Sequence, residues 1–154
     1  KTPTVTATPS NTPTPTPSNT PTPIPDVENP QVILKGLSGE KASDTCKVTI
    51  VFKVEDPKPS AGVSNTNVHL KYQYPLGSTD QEAPLGGGGN WEGGVPGEKW
   101  PGTYNGQITG ISTVEGSNTF SFSMEVQDNA GHPSPPTGIT AQVDAECTVL
   151  ETPD

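Results

Sequence analysis

The chain has 154 residues, only 28% of them hydrophobic, with seventeen acidic against eight basic residues and a net charge of -9. Every basic residue is Lys, and a chain this acidic and without Arg is repelled by phosphate backbones and by anionic bilayer surfaces, which sets aside nucleic acid as a partner. No apolar run approaches the roughly 18 residues needed to span a bilayer, so no direct membrane insertion is expected.

The chain opens with a Pro/Thr tract. Residues 1–25 hold eight Pro and nine Thr, and Pro-Ser-Asn-Thr-Pro-Thr-Pro occurs at 9–15 and again at 17–23. Such a segment buries too little apolar surface to offset its ordering entropy. Proline fixes φ and biases the preceding residue toward extended backbone, so a stiff polyproline-II-like spacer is expected. At about 3.1 Å per residue it would reach about 75 Å. Its hydroxyls suit O-glycosylation by composition. The expected division is a linker over 1–28 and one domain over 29–152, with any export signal or anchor upstream of Lys1.

After the linker the signal is period-2 alternation. A weak strand is expected at 32–35. A clear one follows, in which Cys46, Val48, Ile50, Phe52 and Val54 alternate with polar or outward residues. The Pro- and Gly-containing segment 56–62 breaks the chain. Val68, Leu70, Tyr72 and Tyr74 form the next row. The run from 75 to 102 is too long for a plain loop, and a mixture of one or two short edge strands with a functional loop is expected there. A weaker strand is expected at 104–112. The cleanest row is Phe120, Phe122, Met124 and Val126, closed by the turn Asp128-Asn129-Ala130-Gly131. The last row is read as continuous from Ile139 through Ala141, Val143, Ala145 and Cys147 to Val149. No segment holds a helical period. The fold class is all-β, an antiparallel sandwich of about seven strands with an N-terminal disordered, polyproline-II-like linker.

The segment Met124-Glu125-Val126-Gln127-Asp128-Asn129-Ala130-Gly131 resembles the Val-x-Asp-x-Ala-Gly strand and turn of bacterial immunoglobulin-like and fibronectin-like modules. The resemblance covers one strand and its turn. It implies an Ig-like sandwich of the kind carried by secreted multimodular and cell-surface proteins, where Pro/Thr linkers are common. The long Gly/Trp insertion departs from that pattern.

Cys46 and Cys147 lie 101 residues apart. An even cysteine count in an exported chain reads as a disulfide, and both residues fall on the inward row of their segments. If these are the second and last strands of an Ig-like sandwich, their antiparallel course brings the two cysteines to the same end. The chain-entropy model gives such a loop about 4–5 kcal/mol. The alternative is two buried free thiols.

No nucleophile elbow, zinc spacing or paired-carboxylate motif accompanies His69 or His132, so both are read as surface histidines and the chain as a non-enzyme. Trp91 and Trp100, set among glycines beside Asn90, and with Tyr104 extending the row, form a candidate platform for sugar rings. The competing reading is that the indoles plug the end of a thin core. Cofactors are expected to be none. A metal is not expected either, although Glu55, Asp56, Asp128 and Asn129 lie in loops that an Ig-like topology gathers at one end, where oxygen ligands suit calcium. The leading expectation is a non-catalytic extracellular spacer, adhesion or display module, a monomer at the cell surface. The runner-up is a carbohydrate-binding or ligand-sensing ectodomain whose partner is a polysaccharide or another surface protein.

Overall fold

The computed structural model describes residues 2–3, 25–57, 59–89, 100–114 and 118–152, and of Trp100 the backbone alone. Among the described residues nine strands follow in order: β1 Gln31–Ala42, β2 Thr45–Asp56, β3 Val68–Gln73, β4 Gln81–Ala83, β5 Leu85–Gly88, β6 Trp100–Ser112, β7 Thr119–Val126, β8 Thr137–Val143 and β9 Val149–Glu151. They form two antiparallel sheets, one ordered β1-β2-β6-β5 and the other β4-β3-β7-β8-β9. Read as A-B-E-D facing C′-C-F-G, this is the strand order of an Ig-type sandwich, with β9 added as a short edge.

The alternation in the sequence is the burial pattern of the strands. Cys46, Val48, Ile50, Phe52 and Val54 of β2 are fully enclosed, and so is the β7 row of Phe120, Phe122, Met124 and Val126. Tyr104, Ile108 and Ile111 of β6 join the first set, and Leu70 with Val68 of β3 joins the second. The two inner faces meet closely at Gly106, where a Cβ would sit 1.9 Å from Leu70 Cδ2. A side chain at this position would force Leu70 out of its place between the sheets.

The strand count exceeds the expected seven for identifiable reasons. The run from 75 to 102 contributes two short edge strands, and they part company. β4 pairs with β3, while β5 pairs with β6 in the opposite sheet. β5 is Leu-Gly-Gly-Gly, so it has no alternation to read, and Gly87 and Gly88 carry φ of 79° and 125°. β1 runs longer than 32–35 because it lines the whole length of β2, with a bulge that leaves Lys35 unpaired between Leu34 and Gly36.

The last row requires a correction. Asp144 interrupts it, accepting the N–H groups of Glu146 and Thr148 on Oδ1, each at 2.9 Å. Asp144 N–H also bonds Thr148 O, and Cys147 N–H bonds Asp144 O. This tight turn splits the row into β8 and β9 and puts Cys147 at φ 64°, not on a strand. An aspartate able to satisfy several backbone donors favours the turn over continued pairing.

The disulfide is formed. Cys46, at the start of β2, is bonded to Cys147 with their Cα atoms 5.5 Å apart. The turn approaches β1 at Gly39, where a Cβ would lie 1.8 Å from Cys147 O. Among the described residues, no helix is long and apolar enough to cross a membrane.

Candidate functional site

The sandwich has two unlike ends. The Cys46–Cys147 bridge closes one end. At the other, β2 finishes at Asp56, β7 runs out into Asp128, and the chain coming from the Pro/Thr tract is bonded through the Asp26 side chain. Asp26 Oδ2 accepts Ala61 N–H at 2.7 Å, and its Oδ1 accepts Glu28 N–H at 3.1 Å.

Asp56 occupies an inward position at the end of the β2 row and is fully enclosed. Its Oδ2 accepts the Ser60 hydroxyl at 2.6 Å and Gly62 N–H at 2.8 Å. Its Oδ1 is buried and has no hydrogen-bond partner. Burial pushes this carboxyl above its ordinary range, and the charges of Asp26 and Asp128 act in the same direction. The Ser60 and Gly62 bonds oppose them.

Asp128 is 2% exposed. It accepts His132 N–H on Oδ1, and His132 Nδ1 lies 2.8 Å from Oδ2. The turn is completed by Gly131 N–H on Asp128 O, with Gly131 at φ 95°. The bond to Asp128 holds the His132 imidazole above its ordinary value, burial opposes it, and the fields of Asp128, Asp26 and Asp56 add to the rise. Ligand atoms of Asp26, Asp128 and His132 all lie within 4.8 Å of one another.

The calcium candidates named from sequence separate here. Asp56 and Asp128 end up at the same end of the sandwich, where the charge of Asp128 helps to raise the Asp56 carboxyl. Asn129 instead ties the neighbouring loop, its Nδ2 bonding Ala61 O at 3.1 Å and its Oδ1 accepting the Ser64 hydroxyl at 2.8 Å. Glu55 points to the outward face, 2.5 Å from Lys53 Nζ. Two members of the cluster were not expected from sequence. Asp26 stood inside the linker boundary and His132 was read as a surface residue. The available signals were the first acid after the Pro/Thr tract and the i, i+4 spacing of Asp128 and His132.

The candidate sugar platform is placed only in part. Asn90 and Trp91 lie outside the described residues. The backbone of Trp100 opens β6 opposite Asp56, at the carboxylate end. Tyr104 is 2% exposed, its ring stacked on Phe52 with centroids 5.5 Å apart. Its hydroxyl donates to Asn65 Oδ1 at 2.8 Å. Burial raises its pKa to about 12, against a backbone bond at Gly89 that lowers it. This is a core tyrosine whose ring is closed to a ligand.

His69 meets Glu82 on the outer face of β3, at 2.5 Å. Beside it runs a groove between β7 and the Pro-rich 133–136 segment. No family model, no curated protein and no solved structure matches the chain.

Proposed function

We propose that this chain is a non-catalytic extracellular display or spacer module, an Ig-like sandwich held away from its parent protein by a Pro/Thr stalk. The observation that carries the reading is the Cys46–Cys147 bridge at the end of the sandwich opposite Asp26. A disulfide belongs to an oxidising compartment, and this one reinforces the end remote from the stalk. The sandwich itself supports a mechanical part: both histidines are engaged with carboxylates, and its inner faces are filled by side chains.

The test is affinity electrophoresis of the chain through gels containing soluble cell-wall and plant polysaccharides. Unretarded migration is expected. Retardation that disappears in Trp91→Ala or Trp100→Ala overturns the spacer reading and makes the Gly/Trp segment a carbohydrate-binding surface.

A further inference from the structure

We propose that Asp26, Asp56 and Asp128 form a binding site for a hard divalent cation, of which calcium is the expected member, at the point where the stalk enters the sandwich. Two observations carry it independently. One is the convergence of the Asp26 and Asp128 ligand atoms within 4.8 Å. The other is Asp56, a fully enclosed carboxylate whose Oδ1 has no partner in the protein and whose Oδ2 holds Gly62 N–H, the amide next to the Ala61 N–H held by Asp26.

Enclosed carboxylates are paired, protonated or metal-bound, because an isolated charge in a medium of low polarity is too expensive to keep. His132 serves Asp128 and backbone N–H groups serve Asp26, but one face of Asp56 has nothing. Calcium accepts six to eight oxygens in loose geometry, so carboxylates from three separate segments, completed by water, suit it. A smaller ion with strict octahedral demands suits such a set less well. Zinc would instead recruit the His132 nitrogen.

The three ligands come from different parts of the chain: the end of the Pro/Thr tract, the exit of β2 and the exit of β7. An ion there ties residue 26 to both sheets and fixes the direction in which the stalk leaves the domain. The site rests on geometry alone; this clamp role rests on the display reading above.

Thermal unfolding of the full chain, in EDTA and then with calcium, magnesium or zinc, tests the site. Calcium is expected to raise Tm by about 5 °C at a concentration well above Kd. Asp26→Asn and Asp56→Asn are expected to abolish that rise. In EDTA, Asp26→Asn is expected to melt within about 3 °C of the native chain, because it removes a repelling charge at the domain margin along with one acceptor. This variant keeps the test open if Asp56→Asn fails to fold. An unchanged Tm in every metal overturns the proposal and leaves Asp56 as a buried neutral acid. A rise of equal size in the native chain and in Asp26→Asn also overturns it, as does a response to zinc alone. None of these results moves the polysaccharide outcome, so the two readings fail separately.

Discussion

The two ends of this sandwich are closed by opposite means. At one, a covalent bond ties the start of β2 to the β8–β9 turn, and the turn rests on Gly39. At the other, two carboxylates and a histidine meet, with the enclosed Asp56 bonded to the neighbouring loop, where two strands run out and the chain arrives from the Pro/Thr tract. A disulfide acts mainly on the unfolded chain and responds to neither salt nor acid. A carboxylate cluster is conditional, since its contribution depends on what neutralises it. A sandwich built this way has one end held covalently and one whose stability depends on the charge around it.

Removing the covalent end gives the largest effect. The pair Cys46→Ala/Cys147→Ala is expected to lose about 4 kcal/mol by denaturant unfolding. Any cation-dependent shift in Tm should survive in the double variant, because the two ends share no ligand. Loss of that shift together with the disulfide would show that the ends are coupled through β2. Gly39→Ala is the subtler injury at the same end. The new Cβ meets a backbone carbonyl, which cannot swing aside as a flexible side chain does, so a loss of about 2 kcal/mol is expected. If Gly39→Ala unfolds like the native chain, the turn is not seated as described.

The smallest effect falls beside the carboxylate end. Tyr104→Phe removes the hydroxyl bonded to Asn65 and is expected to cost about 1 kcal/mol. The same hydroxyl gives an alkaline signature. Its folded pKa of about 12 stands above the ordinary 10.0 of an exposed phenol. The associated stability is therefore complete below pH 10.0 and is lost as pH climbs through about 12. A phenolate titration of the folded chain should show a late step near pH 12, and that step should be missing from Tyr104→Phe.

What the sequence revealed follows from how burial is encoded. β2 and β7 are legible because each has one face in the core and one in water, so every second residue is apolar. β5 is illegible because three of its four residues have no side chain to alternate. The break between β8 and β9 was hidden for another reason. Ala145 and Cys147 keep the period of the row while Asp144, on the opposite phase, turns the chain by bonding its own backbone. The carboxylate end was half legible. Asp56 and Asp128 could be placed by strand order, since each ends a strand that topology brings to the same side. Asp26 had no periodic signal, and whether its carboxylate reaches Ala61 depends on the path of the incoming chain. Tyr104 was placed on a surface platform, yet it sits on the inward phase of β6 with Gly102, Gly106 and Ile108. The sequence pattern of β6 is blurred because its inward row includes two glycines.

The outer flanks of the β1-β2-β6-β5 sheet have a consequence for crowding. At one margin Lys35 stands in a bulge, and at the other Gly87 and Gly88 are rotated out of extended geometry. A foreign peptide seeking to extend the hydrogen-bond ladder finds a kink and a cation on one side and a contorted tetrapeptide on the other. Many copies of this module packed side by side would therefore have little means of zipping into one another along this sheet.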